Sequence, residues 1–361
     1  MSLLEYYDNE TKTLTLPYNF NQKLKNIPKE TQKIIFTENC NKQEYSNFDQ
    51  LINDLPENLT CLILGYNFNK QIDKLPVNLK YLTLRGIFNR TINNLPLNLT
   101  HLTFKCHFHK SIENLPINIE NLILEIPYYY TDTKLQKSLP KFMPKFSKMK
   151  ELKLNIGFYN EKIDFLPQNL IKLFIGDNIK STRIFFPINL THLTFDNYYD
   201  TDNLIDFCLP PNLTYLKFGL FSRSKKPLVN LPSKLTHLCL SYHFNHKIDD
   251  LPQSLTHLKL GYLFNQSLDN LPNSLKFLSL YEQKNIKLTK NIKELSLMHN
   301  NNLINNLPEN IEKIYIKFND NKMSVVNNLP LTIKEIIITS EKYKKYIKIP
   351  FGAILTIQKI D

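Results

Sequence analysis

A proline, usually preceded by leucine, returns about every twenty residues along nearly the whole chain: Pro28, Pro56, Pro76, Pro96, Pro116, Pro167, Pro187, Pro210, Pro232, Pro252, Pro272, Pro308, Pro330 and Pro350. The gaps are mostly 20, with a few of 22 or 23 and a handful of longer ones. Two long gaps hide a coil that has lost its proline, at Phe146–Leu154 and at Thr289–Leu297. Proline at this spacing excludes long helices, because its ring removes an amide donor and clashes with the preceding turn. A fixed period of this length marks a repeat architecture.

The clearest unit runs from Leu251 to Leu271, with apolar residues at Leu255, Leu258, Leu260, Phe264, Leu268 and Leu271. The coil after Pro76 repeats them as Leu79, Leu82, Leu84, Phe88, Ile92 and Leu95. The Leu-x-Leu step has the two-residue period of a strand, so both leucines point to one side, the inside. The other apolar residues turn inward from the return path, which is too short for a long helix. One coil cannot shelter these side chains by itself, so stacking on neighbouring coils is obligatory. The expected fold is mainly β, a parallel β-solenoid of about 15–17 coils of roughly 20 residues with little helix. Residues 1–13 are expected to cap it and residues 14–361 to form the solenoid, with a terminal coil at 349–361. Irregular excursions are expected at 37–54, where Asn47 to Asn53 suit a helical turn, and at 125–148.

Composition adds boundaries. Hydrophobic residues at 42% and charged residues at 22% are ordinary for a folded soluble chain. No stretch approaches the roughly 18 apolar residues of a membrane span, and the opening MSLLEYYDNETKT lacks the plan of a secretory signal. Five scattered cysteines with no CxxC pair suit reduced thiols, so a cytoplasmic setting is expected. Asn-x-Thr triplets at Asn58, Asn98 and Asn189 then read as repeat consensus, not glycan sites. The formal charge of +12 favours acidic partners or phosphate, although it is spread along the chain as solvated lysines would be.

Three coils spell one motif: Phe68-Asn69-Lys-Gln-Ile72-Asp-Lys-Leu75-Pro76, Phe88-Asn89-Arg-Thr-Ile92-Asn-Asn-Leu95-Pro96 and Phe244-Asn245-His-Lys-Ile248-Asp-Asp-Leu251-Pro252. This resembles the FNIP repeat, a leucine-rich-repeat relative abundant in social amoebae and in giant viruses of amoebae. The resemblance covers nearly the whole chain and implies a leucine-rich-repeat-like solenoid; for a viral member the setting would be the host cytoplasm. The spacing also resembles the 20-residue repeats of bacterial effectors, which implies an open, gently curved form. Many family members carry an F-box before the repeats and look like ubiquitin-ligase adaptors. Here Leu14, Leu16, Phe20, Asn21, Leu24 and Ile27-Pro28 already read as a repeat, which leaves no room for an F-box and puts the ligase role in doubt.

The outward position between the first two core leucines falls in register from coil to coil. Tyr81, His101, His192, Tyr215, His237, His257 and Phe277 occupy it and are expected to form a contact stripe for a protein partner on the concave strand face. The competing reading is that Thr-His-Leu is repeat consensus and the stripe is solvated. The excursion at 125–148 interleaves Tyr128, Tyr129 and Tyr130 with Lys134, Lys137, Lys141 and Lys145, a pattern that suits phosphates and stacked bases. A nucleic-acid or anionic-surface binder is therefore the alternative function, and a short helix patching a degenerate coil is the plain reading of the same segment. The column Asn69, Asn89, Asn245 and Asn265 is expected to bond the backbone of neighbouring coils. No catalytic motif stands in the chain, so no enzyme, cofactor or metal site is expected. His237, His257 and Cys239 lie close in register but lack an acidic third ligand. A monomer is expected, with edge pairing through the C-terminal strand as the route to a dimer.

Overall fold

Most coils turn their corner at the proline, and Phe146 and Thr289 take its place in the two coils that lack it. In the computed structural model the amide of the leucine three residues on donates to the proline carbonyl, as in Leu79 to Pro76 (3.1 Å), Leu99 to Pro96 (3.1 Å) and Leu255 to Pro252 (3.0 Å). The fixed proline φ favours this turn, and the leucine that closes it enters the core just before the strand. The structure describes residues 3–126, 133–157, 159, 162–177, 179, 184–199, 208–223, 227–281, 288–298, 302–318, 320 and 325–358. The chain is mainly β, a parallel solenoid with little helix, and its residues gather into two compact units, Met1–Leu190 and Thr191–Asp361.

Unit 1 contains β1 (Tyr7–Asp8), β2 (Thr13–Leu16), β3 (Lys33–Phe36), β4 (Cys61–Ile63), β5 (Tyr81–Gly86), β6 (His101–Cys106), β7 (Asn121–Ile126), β8 (Glu151–Ile156) and β9 (Lys172–Ile175). Strands β2 to β9 pair in parallel, each with the next, while β1 runs antiparallel along β2. That reversal, with buried Leu3 and Tyr6 set edge-on to Phe20 (6.2 Å), lines the outer edge of the first coil. A spine of phenylalanines runs through the return path: Phe48, Phe68, Phe88 and Phe108 stack at 6.0–6.4 Å with ring planes 5–8° apart. The rings are nearly parallel because equal coils place equal residues above one another.

Residues 47–54 form no helical turn. A short 3-10 turn lies earlier, at Cys40–Lys42, while Phe48 and Ile52 are buried in the positions that Phe68 and Ile72 fill one coil later. The segment Phe48-Asp49-Gln-Leu-Ile52-Asn-Asp-Leu55-Pro56 is thus an ordinary repeat with aspartate in the asparagine position. The later excursion contains α1 (Lys134–Phe142), which opens with a capping box between Thr133 and Gln136. Leu135, Leu139, Met143 and Phe146 are buried, so the helix side replaces the return path of a coil.

Unit 2 contains β10 (His192–Phe195), β11 (Tyr215–Lys217), β12 (His237–Cys239), β13 (His257–Lys259), β14 (Phe277–Ser279), β15 (Glu294–Met298), β16 (Lys313–Lys317), β17 (Glu335–Ile338) and β18 (Ile354–Ile357). Each pairs in parallel with the next. Its inward leucines, among them Leu216, Leu238, Leu258, Leu278 and Leu295, are fully buried. On β18, Ile354 and Ile357 stay exposed, as does Phe351 just before it. Among the described residues no helix is long and apolar enough to cross a membrane.

Candidate interaction face

The outward column is set by the pairing register. In unit 2 it reads His192, Tyr215, His237, His257, Phe277, Glu294, Lys313 and Glu335, each opposite the next. In unit 1 it reads Lys33, Cys61, Tyr81, His101, Asn121, Glu151 and Lys172. Parallel strands lie about 4.8 Å apart, which brings flat rings in one column into contact. Centroid separations from His192 to Phe277 are 5.6, 5.9, 4.1 and 5.6 Å, so five rings form an unbroken ladder. Tyr315, in the next outward column, continues it edge-on to Phe277 at 5.8 Å. In unit 1 only Tyr81 and His101 make such a pair (4.3 Å) among the described residues of the column.

The threonine before each of four histidines fixes that ring. Thr100, Thr191, Thr236 and Thr256 place Oγ1 2.8–2.9 Å from Nδ1 of His101, His192, His237 and His257. The hydroxyls of Thr100, Thr236 and Thr256 also donate to the carbonyls of Lys80 (3.3 Å), Thr214 (3.0 Å) and Thr236 (3.1 Å) in the preceding coil. A hydroxyl has one proton and a carbonyl only accepts, so in these three pairs Nδ1–H donates to the threonine. The network thereby assigns Nε2 as the acceptor nitrogen of His101, His237 and His257.

Burial disfavours the charged form of His101, His237 and His257. Burial lowers the His237 pKa from 6.5; for His257 burial is joined by the charges of His237, Lys276 and Lys259. His101 is also lowered by burial, against the opposing pull of Glu120 and Glu151. Tyr215 is pushed up to about 12 by burial, with Cys239 as its neighbour. Both are therefore uncharged at neutral pH, like the half-buried Cys239 thiol, which burial also raises.

The second outward column separates the units further. In unit 1 its cations and those at the strand ends meet carboxylates: Arg85 with Glu38 (3.3 Å), Lys105 and Lys153 with Glu125 (3.2 and 2.5 Å), and in the first column Lys172 with Glu151 (2.5 Å). In unit 2, Lys217 and Lys259 occupy the second column and Lys317 the end of β16. No carboxylate pairs with these three among the described residues.

A further ring row was not anticipated. Tyr198, Phe221, Tyr242, Tyr262 and Tyr281 follow the second inward residue of their coils and lie 5.0, 6.2, 4.8 and 5.8 Å apart. Its signal was in the sequence as the Gly-Tyr or Ser-Tyr step after Leu-x-Leu, at Ser241-Tyr242 and Gly261-Tyr262. At Gly261 an added Cβ would stand 1.8 Å from the Ser241 carbonyl oxygen, so the coil closes there only around glycine.

The asparagine positions bond the backbone from coil to coil. Asn21 Oδ1 accepts from the Asp49 amide (3.0 Å), Asp49 from Asn69 (2.9 Å), Asn69 from Asn89 (3.1 Å) and Asn89 from His109 (3.1 Å). In unit 2 Asn245 accepts from Asn265 (2.9 Å). A second ladder, unforeseen, uses the asparagine two residues after proline: Asn58, Asn78, Asn98 and Asn118 donate Nδ2 to Lys29, Glu57, Val77 and Leu97 carbonyls at 2.9–3.0 Å. Two of them, Asn58 and Asn98, are Asn-x-Thr asparagines, and their amides already serve the fold.

In the excursion, Lys134, Lys137, Lys141 and Lys145 are exposed on and after α1, while Tyr128, Tyr129 and Tyr130 lie outside the described residues. Phe146 is buried and Phe142 has the Lys145 ammonium 4.4 Å over its ring. Phe146 therefore offers no open face to a base, and one face of Phe142 is taken. No group of three or more His, Cys, Asp or Glu side chains converges among the described residues.

The FNIP Repeat family model matches residues 47–86, 180–221, 224–262 and 244–283. The chain is similar to CroV588, described as a novel circular LRR protein structure, at 28% identity and a TM-score of 0.63 over 95% of this chain. It spans 55% of the length of that protein. YopM from Yersinia enterocolitica is similar over 95% of this chain and 73% of its own, at 18% identity and a TM-score of 0.51, which bears on the fold alone. No curated protein matches the sequence.

Proposed function

Because this chain carries FNIP repeats on a leucine-rich-repeat-like solenoid, we propose that it is a non-enzymatic interaction scaffold whose unit 2 holds a protein partner on its strand face. The observation that carries this reading is the ring ladder His192–Tyr215–His237–His257–Phe277. Stacked, half-buried rings are held in place before binding, so a partner gains large contact area without ordering them. Neutral Nε2 atoms of His237 and His257 add acceptors for N–H or O–H groups of the partner. Tyr81 and His101 of unit 1 make a smaller patch of the same kind.

The ladder argues for protein over nucleic acid. Bases stack on open ring faces, and in the interior of the ladder each face is already covered by the ring of the next coil. What the ladder offers is ring edges, which suit aliphatic and polar side chains.

The test is affinity capture with two baits, the wild type and the triple variant His237→Ser, His257→Ser, Phe277→Ser, after melting curves show both folded. The wild type is expected to retain specific proteins that the variant loses. Identical captured sets would overturn the proposal.

A further inference from the structure

On β14 and β15, Ser279 and Ser296 stand opposite each other in the outward column, yet each is only 3% exposed. An outward serine is buried only when larger neighbours close around it. Lys259 precedes this pair in the same column and Tyr315 follows it. Phe277 and Tyr315 meet over one end of the pair, and Lys317 stands beyond the other with its ammonium 5.6 Å from the centre of the Tyr281 ring. The serine pair is thus covered, with Lys259 one coil before it and Lys317 one coil after it.

Among the described residues, charge around this pair is unbalanced. Lys317 is half-buried, and both its burial and the nearby Lys259 charge hold its pKa below the ordinary lysine value. Among the described residues, the carboxylates of the adjoining strands are engaged elsewhere: Glu335 pairs with Lys313 (2.9 Å), and Glu294 accepts from the Tyr315 hydroxyl (3.5 Å). A partly desolvated cation beside a second cation is destabilised until an anion arrives. In unit 1, by contrast, Lys105 and Lys153 share Glu125 and need no outside anion.

We infer that Lys259 and Lys317, flanking the covered pair Ser279 and Ser296 on the strand face, form a carboxylate seat, so that the partner segment taken by unit 2 is acidic. This rests on the strand-face reading above and names the partner chemistry it implies. Two neighbouring ammonium groups suit the two oxygens of an aspartate or glutamate side chain, which accept several hydrogen bonds at once. Two converging lysines do not make the extended track of cations that a phosphate backbone requires.

The test uses fluorescence anisotropy with three probes carrying a neutral fluorophore: hexaglutamate, hexalysine and a single-stranded twelve-nucleotide RNA. The proteins are the full chain, the pair Lys259→Gln with Lys317→Gln, the arginine counterpart Lys259→Arg with Lys317→Arg, and the unit 1 control Lys105→Gln with Lys153→Gln. Hexaglutamate is expected to bind the wild type, to weaken about tenfold or more in the glutamine pair, and to hold in the arginine pair and the control. No wild-type binding of hexaglutamate, equal loss in the unit 1 control, or tighter RNA binding through the same lysines would overturn the seat. Running the glutamine pair as bait separates the two claims. Capture that survives it yet fails in the ring variant would overturn the seat and leave the strand-face reading standing.

Discussion

On the strand face of unit 1, Arg85, Lys105, Lys153 and Lys172 are matched by carboxylates at Glu38, Glu125 and Glu151, and of the column's cations only Lys33 makes no ion pair among the described residues. On the strand face of unit 2 the corresponding columns hold five stacked rings, two small serines and three lysines with no carboxylate partner among the described residues. Both faces rest on the same parallel coils and the same inward leucines. The difference therefore does not arise from the fold. Solenoid stacking guarantees that a column exists, and the residue choice within it decides whether the column satisfies itself or waits for something else. Local imbalance in an otherwise consistent structure is a mark of function.

The contrast breaks first at the ring ladder. The triple variant His237→Ser, His257→Ser, Phe277→Ser should weaken binding of a captured partner about a hundredfold or more, since central aromatic contacts dominate interfaces. The unit 1 pair Lys105→Gln with Lys153→Gln should leave that affinity within about twofold, as peripheral charges do. Titration calorimetry compares the two directly. Equal losses would erase the distinction between the faces.

Stability distinguishes the units next. Asn69→Leu interrupts a ladder running from Asn21 through Asp49, Asn69 and Asn89 to His109, and leaves the Asn89 amide without its acceptor. Loss of about 1–3 kcal/mol is expected in denaturant unfolding. Asn245→Leu, which removes the bond to Asn265, should cost less because a shorter ladder is broken. Equal midpoints for Asn69→Leu and the wild type would show that the asparagine column carries no stability.

A milder change converts one face toward the other. Glu125→Gln strips the shared partner from Lys105 and Lys153, and both ion pairs are partly exposed. Stability should fall by less than about 1 kcal/mol, while hexaglutamate, if charge imbalance is what recruits it, should gain weak affinity for unit 1. Unchanged hexaglutamate binding would show that free lysines alone do not make a seat.

The smallest expected effect is in pH. The His237 and His257 pKa values lie below 6.5 in the folded chain, so on acidification the unfolded chain binds their protons first. Their contribution to stability is complete above about pH 6.5 and is lost as pH falls from there through the folded-state values. Unfolding between pH 7.5 and 5 should therefore show a shallower loss for His237→Gln with His257→Gln than for the wild type. Parallel pH profiles would contradict this.

Register was the most legible feature. Because most coils have nearly equal length, residues about twenty apart with the same place beside Leu-x-Leu share a column, and His192 to Phe277 fell in line from sequence alone. The Asp49 repeat was legible too, but aspartate in place of asparagine and the unequal coil before it obscured the motif. The Pro-x-Asn ladder was hidden for a different reason: Asn58 and Asn98 coincide with a glycan-like triplet, and nothing in one coil says that an amide reaches the previous one. Pairing of Lys105 and Lys153 with Glu125, and its lack at Lys259 and Lys317, depends on where long side chains lie across neighbouring strands. Spacing does not encode that.

Histidine footprinting tests the central claim most directly. An acylating reagent that attacks neutral imidazole nitrogen is applied to the chain alone and in complex with a partner captured by the wild type, and modified residues are read by mass spectrometry. The account predicts that His237 and His257 become strongly protected in the complex while His101 changes little. Full reactivity of His237 and His257 in the bound state would contradict it.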